Sequence, residues 1–368
     1  MAEITAEVGA KRKRIPEISF LNILLCVLVV FIHSSSEPVS SLDKANLSWA
    51  LCFIPWRLSA FAVQGFLLLS GVKLFLGQGK SQTSYPAFIA KRFRTVFLPY
   101  ALWVVVYYIY FLRLGYFEFS LIDLASYIVK GDLVGHFYFV IAIMQFYLLM
   151  PLWRKIVSRY SAASALTAAL LVTVVCGQYL PQIIGVFAKD FYFACNDRAF
   201  TTYIFYFLCG CYIGSNYETF IENLTSRKLA VTVLFAVTAG IDGIFSLKVW
   251  RGEITAPFLE TVHIAYIISA IMFFLMLSAA LFSKKERLPK LFAKIDRVSY
   301  AVYLAHPLFI FWVNAVFLEK FGSLKVRYAL RILLTYTAVF GLCLAWGEIK
   351  TSIKKVILRR RKGGIDER

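Results

Sequence analysis

Any chemistry in this chain starts with few residues. Only four histidines occur, His33, His136, His263 and His306. An imidazole titrates near neutrality, which suits it to take a proton from a hydroxyl. His33 stands out for local reasons. It ends a run that is apolar from Ile23 to Ile32, and Glu37 follows four residues later. On a continuous helix those two share a face, and the carboxylate would orient the imidazole. The plainer alternative is that both face water. A histidine near a helix end also serves as an ordinary interfacial group.

Other polar residues cluster at the ends of apolar runs. Arg57, Asp242, Glu260, Arg327 and Arg331 all lie at such ends. Arg331 is one helical turn beyond Arg327, and an arginine facing lipid is costly, so an inward-facing pair is expected. Asp242 and Glu260 fit interfacial anchoring equally well. Lys91-Arg92-Phe93-Arg94 places three cations within four residues. Such a run can grip the phosphates of a nucleotide-like cofactor. It also fits the basic anchoring common in membrane proteins.

The elements that position these residues follow from composition. Of 368 residues, 60% are hydrophobic, 17% are aromatic and only 17% are charged. The mean hydropathy is +0.70. A soluble domain carries about 25% charged residues. A soluble enzyme, a disordered chain, a coiled coil and a disulfide scaffold are all excluded. The chain reads as an all-α polytopic membrane protein. Ten spans are expected, at about 17–35, 51–77, 96–113, 136–153, 162–181, 200–215, 229–246, 261–282, 299–318 and 327–349. Each is near the roughly 20 apolar residues a helical span needs. Short polar loops join them, so the whole chain, 1–368, reads as one membrane domain with basic tails at 1–16 and 350–368.

Lys11-Arg12-Lys13-Arg14 before the first run resembles a signal peptide. No small-x-small cleavage pattern follows, so an uncleaved first helix is expected. About 27 of the 40 basic residues fall on one set of connections, at 1–16, 78–95, 154–161, 216–228, 283–298 and 350–368. By the positive-inside rule both termini are cytoplasmic. The net charge of +19 is then topological and lipid-facing, with no nucleic-acid partner. Seven cysteines without a CxxC pair suggest neither zinc nor a disulfide framework, and no metal is expected.

The order of motifs resembles the acyltransferase 3 family of integral membrane acyltransferases, over roughly residues 17–349. The apolar first run ends in His33. Phe66-Leu67-Leu68-Leu69-Ser70-Gly71 is similar to the family's aromatic-rich Ser-Gly motif. A basic segment ends in Pro99-Tyr100. His136-Phe137-Tyr138-Phe139 resembles its His-aromatic stretch, and Gln145 to Pro151 continues it. Ser299-Tyr300-Ala301-Val302-Tyr303-Leu304-Ala305-His306-Pro307 resembles its Ser-Tyr…Tyr-Leu-x-His-Pro motif.

The resemblance implies acyl transfer from cytoplasmic acyl-CoA, acetyl-CoA in the first instance, to a hydroxyl of a cell-surface glycan or glycolipid. His33 matches the essential first-helix histidine, and Lys91, Arg92 and Arg94 match the segment that holds the CoA phosphates. Ser70, His136, Tyr303 and His306 would shape the site, with Asn22, Arg57 and Arg331 as further substrate contacts. No permanently bound cofactor is implied, and the partners are membrane lipids and the acceptor. The expected location is the plasma (inner) membrane, multi-pass. Two departures stand out. The family often has Arg or Lys eleven residues before the histidine, where this chain has Asn22. It also often has Arg-x-x-Arg before the proline, where Thr95 takes the second place. Arg57 or Lys73 would supply the missing cation. The rival class is a polysaccharide export component of the same architecture.

Overall fold

The computed structural model describes residues 15–76, 84–187, 195–282, 288–317 and 323–363. The basic run Lys11–Arg14 and the last five residues of the basic tail lie outside the described residues. The described residues hold helices and no strands.

The first span is α1 (Pro16–Ser34), which passes through Ser35 into the short α2 (Ser36–Ser41). Pro16 opens it, where its missing N–H costs nothing. Glu17 lies in the first turn, favourable at the positive end of the helix, and accepts from Tyr217 Oη at 3.1 Å. The second span is α3 (Leu47–Leu58) with α4 (Phe61–Phe75). The third joins α5 (Tyr85–Arg92) to α6 (Leu98–Arg113) through a π-helical turn at Phe93–Phe97. The expected edge at residue 96 is therefore too late. The basic segment is itself helical and continuous with the span.

After α7 (Leu121–Lys130) come α8 (Tyr138–Leu148) and α9 (Met150–Arg159), bent by 60° at their junction. Pro151 cannot donate into the preceding turn, so the break falls there. Next are α10 (Ala162–Val174) and α11 (Leu180–Phe187), joined by a second π-helical turn, then α12 (Ile204–Ser215) and α13 (Tyr217–Ser226). The chain closes with α14 (Lys228–Trp250), α15 (Leu259–Phe282), α16 (Lys290–Phe317) and α17 (Leu324–Gly363).

All ten expected spans coincide with helical stretches, but not all are full spans. Among the described residues eight helices are long and apolar enough to cross a membrane, and the bent α8–α9 pair makes nine. The stretch Phe200–Ser215 is shorter. Its first turn is 3₁₀, and sixteen residues at 1.5 Å each reach only about 24 Å. The chain is thus a multi-pass membrane protein.

Burial separates centre from periphery. The first span is 61% buried by the rest of the molecule, whereas Ala162–Phe187 is 6% buried and presents its apolar surface outward. The α4–α12 contact is the tightest. A Cβ on Gly71 would collide with the Phe207 carbonyl, and one on Gly210 with the Leu68 carbonyl. Small residues allow such close approach of membrane helices. This is the structural reason for glycine in the Ser70-Gly71 motif, and it seats α4 directly against α12.

Candidate active site

Three of the four histidines converge. The His33 ring centroid lies 5.0 Å from that of His306 and 6.0 Å from that of His136, and His136 and His306 are 5.0 Å apart. They come from three different elements: the last turn of α1, the turn just before α8, and the middle of α16. His136 and His306 are buried, and His33 is half-buried. His33 and His136 line a cavity of about 270 Å³ together with Gln64, Phe66, Phe139 and Tyr303. The Tyr303 hydroxyl donates to the His136 carbonyl and so ties α16 to that turn.

Pro307 shapes this end of α16. It has no N–H, so the Tyr303 carbonyl four residues back loses its helical donor. His306 Nδ1 lies 2.8 Å from that carbonyl oxygen. Tyr107 of α6 mends the next position. Its hydroxyl accepts from Leu308 N–H at 2.9 Å and donates to the Leu304 carbonyl at 3.1 Å. A proline inside an apolar helix is tolerated when neighbours satisfy the freed groups in this way.

A second cavity of about 140 Å³ lies toward the end where α1 begins. Asn22, Ser70, Lys73, Tyr147, Ser299 and Tyr300 line it. Phe66, Phe139 and Tyr303 line both cavities and so form the wall they share. Lys73 Nζ donates to Asn22 Oδ1 at 3.1 Å, while Asn22 Nδ2 donates to Asp296 Oδ1 at 3.0 Å and Ser299 Oγ at 2.9 Å. The amide thus joins a cation and a carboxylate. A lysine or arginine at position 22 would repel Lys73. With Asn22 neutral, the cation on this cavity comes from α4. Arg92 stacks over Tyr147 at 4.9 Å and over Phe88 at 5.1 Å, which places it beside a wall residue of the same cavity. Lys91 and Arg94 are exposed.

Several expected site residues lie elsewhere. Glu37 does not serve His33 as its orienting carboxylate, because Arg331 holds it in an ion pair and Arg327 approaches it at 3.7 Å. Arg331 also donates to Asn314 Oδ1 at 2.8 Å. The arginine pair faces inward as expected, but onto α2. Arg57 belongs to a separate buried cluster. Its Nε donates to Ser246 Oγ at 3.1 Å, and its guanidinium lies 3.1 Å from Glu260 and 3.7 Å from Asp242. His263 Nδ1 is 3.0 Å from the other Asp242 oxygen. Neither Arg57 nor His263 lines the two cavities. Gln64, Tyr107, Phe139 and Asp296 were not singled out as site residues by sequence reasoning. Gln64 carries a signal, being the one polar side chain in the apolar stretch Phe61–Leu69.

This arrangement offers cations at one end, imidazoles at the other, and an aromatic wall between them. Several known proteins are similar to the chain. A family model described as an acyltransferase domain matches residues 15–347. The probable poly-beta-1,6-N-acetyl-D-glucosamine export protein of Staphylococcus epidermidis is 26% identical over 307 residues, covering 80% of this chain and 81% of that protein. The putative membrane-bound acyltransferase YfiQ of Bacillus subtilis is 22% identical over 348 residues, covering 92% and 91%. A Staphylococcus aureus protein, also named as a probable poly-beta-1,6-N-acetyl-D-glucosamine export protein, is 23% identical over 348 residues, covering 90% and 92%. No solved structure matches the chain significantly. With the family model covering nearly its whole length, the chain belongs to the acyltransferase 3 family of membrane proteins.

Proposed function

We propose that this protein moves an acyl group from acyl-CoA to a hydroxyl of a cell-surface glycan or glycolipid. One observation carries the reading: two cavities meet at a shared wall of Phe66, Phe139 and Tyr303, with Lys73 on one side and His33 on the other. The CoA phosphates would bind Arg92, with Lys91 and Arg94 beside it. The pantetheine arm would run along the Lys73–Asn22 cavity. Asn22 to His33 is eleven residues of one helix, or about 16 Å. An arm already seated at Lys73 has only that distance to cross, rather than a whole bilayer core.

The chemistry then balances simply. His33 takes the proton of the acceptor hydroxyl as its oxygen bonds to the thioester carbonyl carbon. The carbon–sulfur bond breaks, and the leaving thiolate takes the proton back. The Gln64 amide lines the same cavity and supplies a donor for the developing oxyanion. The acyl group is read as acetyl, the orientation as both termini cytoplasmic, and the membrane as the plasma membrane.

The second reading, export of a polysaccharide, is favoured by the names of the staphylococcal relatives. Two small cavities divided by aromatic rings support transfer of a small group better than passage of a polymer. The test uses the full chain in nanodiscs with radiolabelled acetyl-CoA. CoA release, or label retained on protein or acceptor, is expected from wild type and lost in His33→Ala. Wild type that neither binds nor consumes any of a panel of acyl-CoAs contradicts the transfer reading and favours export.

A further inference from the structure

A histidine base needs a partner that fixes its tautomer and orientation, and a carboxylate is the usual one. Glu37 stood in the right register for that role but is held by Arg331. The titratable groups that face the imidazoles are instead His33 from α1, His136 from the turn before α8, Tyr107 from α6, and Tyr303 and His306 from α16. Each of these is an imidazole or a phenol.

His306 differs from the other two histidines in one respect. A carbonyl oxygen only accepts, so the contact of His306 Nδ1 with the Tyr303 carbonyl at 2.8 Å, and the longer one with the Val302 carbonyl at 3.3 Å, require a proton on Nδ1; the shorter is the one Pro307 frees. In the neutral ring Nε2 then carries the lone pair. That nitrogen is buried, with no hydrogen-bond partner among the described residues. Two imidazoles joined by an N–H···N bond of about 2.9 Å have centroids roughly 5 Å apart. His33 and His306 stand at 5.0 Å, with their planes tilted by 48°. That separation is the one a bonded pair would have.

We propose that Pro307 locks His306 in the Nδ1–H tautomer, and that His306 Nε2 is the orienting acceptor for the N–H of His33. His306 thus takes the place of the missing carboxylate, and Pro307 is the reason it can. With one nitrogen of His33 donating to His306, the other turns its lone pair to the cavity, where the acceptor hydroxyl gives up its proton. His306 gains and loses nothing over the cycle. It is a positioning residue, acting through His33. The catalytic half of this inference rests on the acyl-transfer reading, while the tautomer itself does not.

The test has two arms, both on the full chain in nanodiscs. In the first, protein labelled with ¹⁵N only at histidine is studied by NMR. Four histidines make the spectrum tractable. A signal pair with a protonated Nδ1 and a bare Nε2 that disappears in His306→Gln is expected, and a protonated Nδ1 that persists there is assigned to His263, which faces Asp242 at 3.0 Å. In Pro307→Ala a backbone N–H returns to the Tyr303 carbonyl, and the tautomer is expected to become mixed. The second arm is kinetic. His306→Leu is expected to lose roughly 10²-fold in kcat with the KM for acetyl-CoA unchanged. His306→Gln, whose side-chain oxygen can still accept from His33, recovers to within about tenfold of wild type. A protonated Nε2 on His306 in wild type overturns the proposal. So does a Pro307→Ala protein with an unaltered tautomer, or a His306→Gln enzyme no better than His306→Leu. Wild type inactive toward every acyl-CoA leaves the NMR arm to decide the tautomer while refuting the catalytic half with the transfer reading.

Discussion

Two buried histidine clusters sit in this bundle, and they are built on opposite plans. At His263 the ionisable groups face groups of opposite charge, although Asp242 Oδ1 has Arg57 only at 3.7 Å and no hydrogen-bond donor among the described residues. Asp242, fully buried, meets His263 at 3.0 Å and Arg57 at 3.7 Å, while Arg57 also meets Ser246 and Glu260. These contacts tie α3, α14 and α15 together, and none of these five residues lines either cavity. At His33 the neighbours are two more imidazoles and phenols, and a cavity of about 270 Å³ opens beside them. A satisfied buried network fixes a structure, and removing one member leaves a stranded charge. A buried nitrogen without a partner, such as His306 Nε2, is open to a neighbouring donor, and the His33 ring that lines the cavity stands beside it. Histidine content alone does not distinguish the two regions. The presence of carboxylates and of space does.

The largest effect should come from His33. Its replacement by alanine is expected to lower transfer by about 10³-fold or more, with little change in melting temperature. Comparable activity in that variant would break the contrast. Asp242→Ala should act the other way. Taking away the carboxylate that His263 Nδ1 meets, while Arg57 keeps Glu260 and Ser246, costs about 1–3 kcal/mol of stability, read by denaturation in detergent. The kcat of the protein that remains folded should stay within about twofold of wild type, as expected of a site outside the reacting cavity. A specific loss of kcat there would mean the two clusters are one machine.

These contrasts show what the sequence disclosed. Span length and hydropathy located all ten helical stretches, because twenty apolar residues in lipid have few alternatives. The shortness of Phe200–Ser215 was already in the sixteen residues expected there, whereas its 3₁₀ first turn was not legible. The histidines were legible one at a time. Their convergence was not, because it depends on how α1, α16 and the turn before α8 dock. Glu37 had the right spacing to His33, yet local spacing did not reveal Arg331 on a helix nearly three hundred residues away. Arg57 was read as a contact of the same site for want of the same information. Lys73 was legible as a lone cation in an apolar run, and it does reach Asn22. The adjacency of His306 and Pro307 held the clue to a carbonyl without its helical donor.

Two smaller effects sharpen the comparison. Phe139→Ala removes part of the wall between the cavities. Use of butyryl-CoA relative to acetyl-CoA should rise about tenfold, measured as a ratio of kcat/KM. An unchanged ratio would mean the wall does not limit the acyl group. Ser246→Ala takes one partner from Arg57 Nε and should cost about 1 kcal/mol of stability with no kinetic effect. A change in acyl transfer would again link the clusters.

The central claim is that the donor is held at one end of a path and reacts at the other. The most direct measurement is the affinity of an unreactive thioether analogue of acetyl-CoA for three proteins in nanodiscs: wild type, Arg92→Ala and His33→Ala. The account predicts about tenfold weaker binding for Arg92→Ala, from the loss of a charged phosphate contact, and near-wild-type binding for His33→Ala. Arg92→Ala binding as well as wild type, or His33→Ala losing the analogue, would contradict it.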